Sequence, residues 1–200
     1  MNNDFVKQGY DKAARDYDAN RNQFKSTDLL ERLSQKLKKG STMLDLGCGS
    51  GRPVDEWLVK RGYGVIGLDV SEKMIEMAKR YVPEGKYNVK DISRLKPNEY
   101  EVDAIVAFYS IFHTPREQQG ELYRTLATYL QEGGLLLTVG GNGEWEGIEE
   151  FHGVKMFWSQ HSPEKNHELV EKAGFKILTD EKSTTGDETH QVILAEKRKN

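Results

Sequence analysis

The sequence predicts an α/β fold in which helices cover both faces of a mostly parallel β-sheet. Short apolar segments alternate with segments of helical periodicity, and a glycine-rich loop joins the first such pair. The last two apolar segments follow each other without a helix between them. Strands that alternate with helices form parallel neighbours through right-handed crossovers. One of the last two strands is therefore expected to run antiparallel.

The first half of the chain contains a helix followed by strand and helix pairs. Leucines recur at helical spacing between Phe24 and Gly40, and lysines before that glycine are typical of a helix C-terminus. The predicted elements that follow are a strand at 42–46, a helix with Pro53 near its start, a strand at 64–69, a helix capped by Ser71, and a strand at 87–89.

The second half continues the alternation. Thr114, Pro115 and Glu117 form the pattern of a capping box at a helix start. The segment 140–161 is too long for an ordinary connection and is rich in Gly, Trp and His, so we expect a substrate loop or lid. The other predicted elements are strands at 102–108 and 135–139, a helix from Ser162 to Gly174, and strands at 175–178 and 191–195 joined through 185–187.

Length and composition predict one domain over residues 1–200. We expect an N-terminal helical cap at 1–40, a cofactor-binding core at 41–139, the loop or lid at 140–161, and a helix and β-hairpin at 162–200. No apolar stretch approaches the roughly 20 residues that span a bilayer. The net charge of −3 argues against a nucleic-acid partner, and Cys48 as the one cysteine excludes an internal disulfide. A cytoplasmic location is expected.

The glycine-rich loop predicts a nucleotide-like cofactor. Gly47, Gly49 and Gly51 lie between a predicted strand and a predicted helix, where the backbone can approach a ligand closely. Asp69 ends the next strand, at the position where an acidic residue binds ribose hydroxyls. The alternative is that Asp69 only caps the helix that starts near Ser71.

The charge beside the loop indicates which cofactor it is. A dinucleotide loop has its third glycine at position 52, where this chain has Arg52. A carboxylate at Asp45 would repel an anionic pyrophosphate, whereas it would attract the ammonium and sulfonium groups of S-adenosylmethionine. The sequence therefore favours S-adenosylmethionine over an NAD-type cofactor.

The run MLDLGCGSG at 43–51, together with Asp69-Val70-Ser71 and Lys90-Asp91-Ile92, resembles the class I S-adenosylmethionine-dependent methyltransferases. The resemblance begins near residue 42 and extends to the C-terminus. It implies a Rossmann-like seven-stranded sheet whose last strand is antiparallel. The pattern Tyr10-Asp11-x-Ala13-Ala14-x-x-Tyr17-Asp18 also resembles the N-terminal segment that closes over the cofactor in many small-molecule members.

The resemblance implies a role for each matching position. Asp45 and the glycine loop would hold the methionine part, Asp69 the ribose and Asp91 the adenine amino group. The implied cofactor-binding residues are Tyr10, Tyr17, Asp45, Gly47, Cys48, Gly49, Gly51, Asp69, Val70, Met74, Asp91, Ile92, Ala107 and Phe108. The alternatives are that Asp91 caps a short turn, that Met74 and Ile92 belong to the core, and that Cys48 only fills a tight loop.

The residues after the fourth strand and in the segment 140–161 are candidates for the acceptor side. Phe108-Tyr109-Ser110-Ile111 stands where amino-group methylases of DNA bases carry an Asn/Asp-Pro-Pro-aromatic motif, which disfavours base methylation. His113 and Tyr109 are the catalytic candidates, although His113 is equally interpreted as a residue bonded to backbone. The substrate candidates, which could instead form a small hydrophobic core, are Trp145, His152, Trp158 and His161. No metal site is expected.

These observations predict methyl transfer from S-adenosylmethionine to a small-molecule acceptor of unknown identity. A methyltransferase acting on RNA or protein is one alternative, which the net charge disfavours. A protein that binds the cofactor without catalysis is the other alternative, because the same loop would serve both functions.

Overall fold

A computed structural model describes residues 2–20, 27–185 and 188–199, and it confirms the predicted α/β fold. The strands are β1 (Thr42–Leu46), β2 (Gly64–Asp69), β3 (Lys86–Val89), β4 (Val102–Phe108), β5 (Leu130–Gly141), β6 (Trp145–Phe151), β7 (Val154–Gln160), β8 (Phe175–Thr185) and β9 (Glu188–Lys197). A seven-stranded sheet has the order β3-β2-β1-β4-β5-β9-β8. Only β9 runs antiparallel, between β5 and β8, as the sequence led us to expect of the last strand.

Helices cover both faces of this sheet. They are α1 (Asn2–Asn20), α2 (Thr27–Ser34), α3 (Val54–Lys60), α4 (Glu72–Tyr81), α5 (Arg116–Ala127) and α6 (Pro163–Lys172), with single 3-10 turns at Ile92–Arg94 and Ile111–His113. Alternate residues of each strand point to opposite faces. Leu44 and Ile105 pack with α5 and α6, whereas Met43 and Val106 pack with α2 and α3. Within the described ranges no helix is long and apolar enough to cross a membrane.

The segment 140–161, where the sequence predicts a substrate loop or lid, contains a β-hairpin. Gly140 and Gly141 finish β5, and β6 pairs with β7 as an antiparallel hairpin that turns at His152 and Gly153, both with positive φ. Apolar and polar residues do not alternate strictly along these strands, so no period of two marks them in the sequence. The hairpin contacts α1, where Val6 packs on β7.

Two helix boundaries also differ from the prediction. The helix expected up to Gly40 ends at Ser34 and is followed by turns, and Phe24 lies outside the described residues. The capping box is absent, because α5 has Pro115 as its N-cap without a side-chain hydrogen bond. The backbone N–H of Arg116 instead donates to Ser159 Oγ on β7 at 2.8 Å. A tertiary contact thus replaces the local cap.

The predicted serine caps are confirmed. Ser71 Oγ accepts from the backbone N–H of Met74 at 3.1 Å, and Ser162 Oγ accepts from that of Lys165 at 3.3 Å. Strands β8 and β9 are longer than predicted, and residues 186–187 of the connection between them lie outside the described ranges.

Candidate functional site

A cavity lies at the carboxyl ends of β1, β2 and β4, beneath α1. Ligands of open α/β sheets bind at this edge. The cavity contains about 640 Å³ of empty space, including its open mouth. The predicted cofactor residues that line it are Tyr10, Tyr17, Gly47, Gly49, Asp69, Val70, Met74, Asp91, Ile92 and Phe108, and the predicted catalytic residues Tyr109 and His113 line it too. We refer to it as the cofactor cavity.

Four predicted cofactor residues lie behind the wall of this cavity. Asp45 is 2% exposed on β1, and Ala107 is fully buried in the core. Cys48 packs in a small apolar cluster around Tyr87. Gly51 has a positive φ, and a side chain there would meet Tyr87 Oη at 3.1 Å. Any effect of these residues on a ligand therefore acts through the shape or charge of the loop.

Gly47 is the tightest point of the glycine loop. Its φ is +74°, and a Cβ atom at this position would lie 2.4 Å from Ser110 Cβ. The backbone N–H groups of Gly47 and Cys48 both donate to the Leu68 carbonyl, at 2.7 and 3.0 Å. The loop is thus fixed to β2 on one side and to the end of β4 on the other.

Asp69 connects the glycine loop to the start of α4. Its Oδ2 accepts from the backbone N–H of Gly49 at 2.9 Å, and its Oδ1 accepts from that of Ser71 at 2.8 Å. The side chain is 8% exposed and lines the cofactor cavity. Asp69 is therefore not the cap of α4, which is Ser71, but it accepts from the backbone N–H of that N-cap residue. These two hydrogen bonds are compatible with ligand binding, because each carboxylate oxygen accepts about two hydrogen bonds.

Buried carboxylates surround the loop. Burial raises the pKa of the Cys48 thiol well above its usual value, and the negative charges of Asp55, Asp69 and Asp45 raise it further. Cys48 therefore stays a thiol, as a residue that fills a tight loop would. The sequence analysis did not identify Asp55 as a site residue, although it is fully buried in the first turn of α3. Together these charges favour a cationic ligand over an anionic one.

Asp91 caps the 3-10 turn that follows β3. Its Oδ1 accepts from the backbone N–H of Ser93 at 2.9 Å and from Ser93 Oγ at 2.7 Å. Its Oδ2 lies 3.4 Å from Arg94 Nε. The turn that this capping creates places Asp91 beside Ile92 at the wall of the cofactor cavity.

The seven-residue spacing between Tyr10-Asp11 and Tyr17-Asp18 corresponds to two turns of helix α1. Tyr10 and Tyr17 are two helical turns apart, lie 5.3 Å apart between ring centroids and line the cavity. Asp11 and Asp18 have the same spacing on a neighbouring face. Asp11 Oδ1 accepts from Ser71 Oγ at 2.6 Å, and Asp18 accepts from Ser50 Oγ. One face of α1 therefore fastens the helix to the sheet edge, and the other covers the cavity.

His113 joins three elements. Its Nδ1 lies 2.8 Å from the Phe157 carbonyl of β7, which can only accept, so Nδ1 carries the proton. Nε2 then accepts from the Tyr10 hydroxyl of α1 at 2.9 Å. Burial lowers the pKa of His113 to about 4. The imidazole is therefore neutral at pH 7, and both its nitrogens already have protein partners.

We expect His113 to make stability depend on pH. The folded pKa of about 4 lies below the unfolded value of 6.5, so the unfolded state binds more protons between these values. The free energy of unfolding should fall by about 2 kcal/mol from pH 7 to pH 5 through this residue. Urea unfolding at both pH values measures it. A His113→Gln variant should show a smaller fall in the free energy of unfolding between pH 7 and pH 5. An equal fall in the variant and the wild type would contradict the lowered pKa of His113.

Tyr109 lies between the cofactor cavity and a second cavity. Its φ is +59°, in the left-handed region that costs free energy for residues with a side chain. Its backbone N–H donates to the Val139 carbonyl at 2.8 Å, which holds this conformation. The ring lies edge-on to His190, with centroids 4.7 Å apart. Strained backbone of this kind is concentrated at functional sites.

The second cavity lies between the hairpin and β9 and has about 1120 Å³ of empty space, including its mouth. Tyr10, Tyr17 and Tyr109 line both cavities. Of the predicted substrate residues, Trp145 and Trp158 line the second cavity. We refer to it as the acceptor cavity. Residues that the sequence did not suggest for this wall are Phe112, Asn142, Phe151, Glu188 and His190.

The other two substrate candidates lie elsewhere. His161 Nε2 is 3.1 Å from the Arg116 carbonyl, at the start of α5. His152 is exposed at the hairpin turn, where its ring contacts Phe151. Neither lines the cofactor cavity or the acceptor cavity. In the same ranges, no three His, Cys, Asp or Glu side chains are grouped as metal ligands would be.

The fold, the glycine loop and Asp69 together define a Rossmann-like protein with a nucleotide-type cofactor site. A family model described as a methyltransferase domain matches residues 43–134. Over these residues the chain is similar to methyltransferases.

Known proteins are similar to different parts of the chain. A ubiquinone biosynthesis O-methyltransferase of Coxiella burnetii is 32% identical over 49% of this chain and 42% of its own length. Methyltransferase GfsG of Streptomyces halstedii is 31% identical over 75% of this chain and 57% of its own. The chain thus spans about half the length of these curated relatives.

A solved structure is similar over the full chain. The magnesium protoporphyrin IX methyltransferase of Synechocystis, with bound S-adenosylhomocysteine, has a TM-score of 0.77 and 16% identity, and the match covers 100% of both chains. At this identity the likeness extends to the fold.

Proposed function

We propose that this chain binds S-adenosylmethionine in the cofactor cavity and transfers its methyl group to a small molecule in the acceptor cavity. The observation that carries the proposal is that the two cavities share Tyr10, Tyr17 and Tyr109. Ligands in the two cavities would meet at these rings.

The residues around the cofactor cavity fit this cofactor. S-adenosylmethionine supplies a methyl group on a positively charged sulfur. The carboxylates of Asp45, Asp55 and Asp69 favour such a cation. Ser110 and Thr114 also line the cavity, and their buried hydroxyl oxygens have no hydrogen-bond partner among the described residues.

Methyl transfer from a sulfonium needs alignment and exclusion of water more than acid–base catalysis. Helix α1 and the hairpin supply the cover, and the aromatic rings around Tyr109 supply the walls. His113 is proposed as a positioning residue, since its Nε2 already accepts from Tyr10. Abstraction of a proton by His113 stays a prediction, and the low pKa makes the imidazole a weak base.

A small-molecule acceptor is proposed rather than RNA or protein because of the negative net charge and the partly enclosed acceptor cavity. A cytoplasmic location also stays a prediction of the sequence, based on its single cysteine. Binding without catalysis is the second candidate function, since the cofactor cavity would serve both.

We expect the wild-type chain to bind S-adenosylhomocysteine with one site and a Kd of about 1–100 µM, measured by calorimetry. NAD should bind much more weakly, because its pyrophosphate is repelled by the buried carboxylates. When S-adenosylmethionine with a labelled methyl group is mixed with the chain and a cell extract, the label should appear in a small-molecule product distinct from S-adenosylmethionine itself. Absence of cofactor binding would contradict the proposal, and binding without label transfer to any fraction would favour the non-catalytic candidate.

A further inference from the structure

The acceptor cavity combines aromatic walls with side-chain charge of one sign. The aromatic rings that line it belong to Tyr10, Tyr17, Tyr109, Phe112, Trp145, Phe151 and Trp158. Glu149, Glu150 and Glu188 are its charged side chains, and no lysine or arginine among the described residues lines it. We propose that the acceptor is an aromatic compound that carries a positively charged, hydrogen-bond-donating group.

The carboxylates are not neutralised by cations in the described part of the chain. Glu149 and Glu150 form no ion pair with another described residue, although Lys155 is the register partner of Glu150 across the hairpin. Glu188 Oε2 lies 3.2 Å from His190 Nε2. Burial lowers the pKa of His190, so this imidazole adds no positive charge at neutral pH. An anionic acceptor would therefore find no cationic side chain among the described residues that line this cavity.

Two side chains of the cavity lining also contain a buried atom that has no hydrogen-bond partner among the described residues. His190 is 7% exposed and lines the cavity, and its Nδ1 has no hydrogen-bond partner in the described ranges. When Nε2 donates to Glu188, Nδ1 is an acceptor. Asn142 lines the same cavity, and its buried Oδ1 also has no hydrogen-bond partner among the described residues. An ammonium group has three donors and no acceptor, which matches this set.

The aromatic walls favour the same ligand. The faces of tryptophan and tyrosine rings attract cations and also bury planar apolar groups. None of the three glutamates lines the cofactor cavity, whereas Tyr109 lines both cavities. A charged group held near the glutamates would leave the rest of the acceptor free to reach the cofactor. The acceptor class rests on the proposed function, because it assumes that this cavity takes the acceptor.

The test compares three indole compounds that differ in one group: tryptamine, tryptophol and indole-3-propionate. Each is titrated by calorimetry at pH 7 into the full chain saturated with S-adenosylhomocysteine. We expect tryptamine to bind about tenfold more tightly than the carboxylate, with the alcohol between them. Raising the salt concentration should weaken tryptamine binding several-fold and leave the alcohol unchanged.

Variants assign the effect to the cavity. Glu149→Gln with Glu188→Gln should reduce the preference for tryptamine to about twofold or less. Glu84→Gln is the matched control, because Glu84 is an exposed glutamate in the turn before β3 and lines neither cavity. It should keep the wild-type preference.

Equal or tighter binding of the carboxylate would overturn the acceptor class, as would no detectable binding of tryptamine at millimolar concentration. Binding of S-adenosylhomocysteine is measured first in the same experiment. Failure at that step contradicts the cofactor proposal, whereas failure of discrimination contradicts only the acceptor class.

Discussion

Replacing Asp69 with alanine is expected to weaken S-adenosylhomocysteine binding at least about 100-fold, or about 2.7 kcal/mol. The change removes a carboxylate that lines the cofactor cavity and that would accept from ribose hydroxyls. It also leaves the backbone N–H groups of Gly49 and Ser71 without their acceptor. The loop would lose its link to α4, so its geometry would change together with its charge.

The same variant should lose about 3–6 kcal/mol of stability, because it removes two hydrogen bonds to a charged group and each contributes about 1.5–3 kcal/mol. Binding must therefore be measured by calorimetry at a temperature where circular dichroism shows the variant to be folded. Asp103→Asn is the control. Asp103 lies on β4, is exposed, accepts from the backbone N–H of Thr42 at 2.7 Å and lines neither cavity. Wild-type affinity in folded Asp69→Ala would contradict the ribose assignment.

The sheet could be predicted from the sequence because its signals are local. Each central strand is a short apolar run, and each is followed by a glycine, a cap or a helical pattern, as at Gly47 and Ser71. The missing helix between β8 and β9 predicts that one of them is antiparallel, and the resemblance implied that it is the last strand. These features depend on neighbouring residues and on the general handedness of crossovers.

The acceptor cavity could not be predicted because its wall is assembled from distant segments. His190 lies just before the predicted terminal strand at 191–195, and it reaches the cavity because β9 is longer than predicted and is inserted next to β5. The missing capping box has a similar origin, since Ser159 on the hairpin supplies the acceptor for Arg116. Tertiary contacts of this kind override a local pattern without leaving a signal in it.

Asp55 could have been suspected from the sequence. An acidic residue in the first turn of a helix is favoured by the helix dipole, so the position of Asp55 alone does not indicate a functional site. Its burial beneath the glycine loop depends on how α3 packs against Tyr87 and β1. The charge around the loop is therefore a property of the packed structure, whereas Asp45 alone was visible in the motif.

Gly47→Ala is expected to cost about 2–5 kcal/mol of stability and to weaken cofactor binding. A positive φ costs a residue with a side chain about 1–2 kcal/mol, and overpacking adds about 1–3 kcal/mol. The new Cβ would lie 2.4 Å from Ser110 Cβ, so the loop after β1 and the end of β4 would have to separate. That separation would also move Tyr109 relative to the glycine loop. Urea unfolding and calorimetry with S-adenosylhomocysteine measure the two effects.

Two further variants separate strain from overlap. Gly62 has a φ of +85° and no atom within 4 Å of an added Cβ, so Gly62→Ala should cost only about 1–2 kcal/mol and leave binding unchanged. Adding Ser110→Gly to Gly47→Ala removes the overlapping atom and should recover the overpacking part, about 1–3 kcal/mol. If Gly47→Ala were no more costly than Gly62→Ala, the loop would not be held against β4 in solution. The close contact between the glycine loop and the end of β4, which precedes Tyr109, would then contribute no measurable stability.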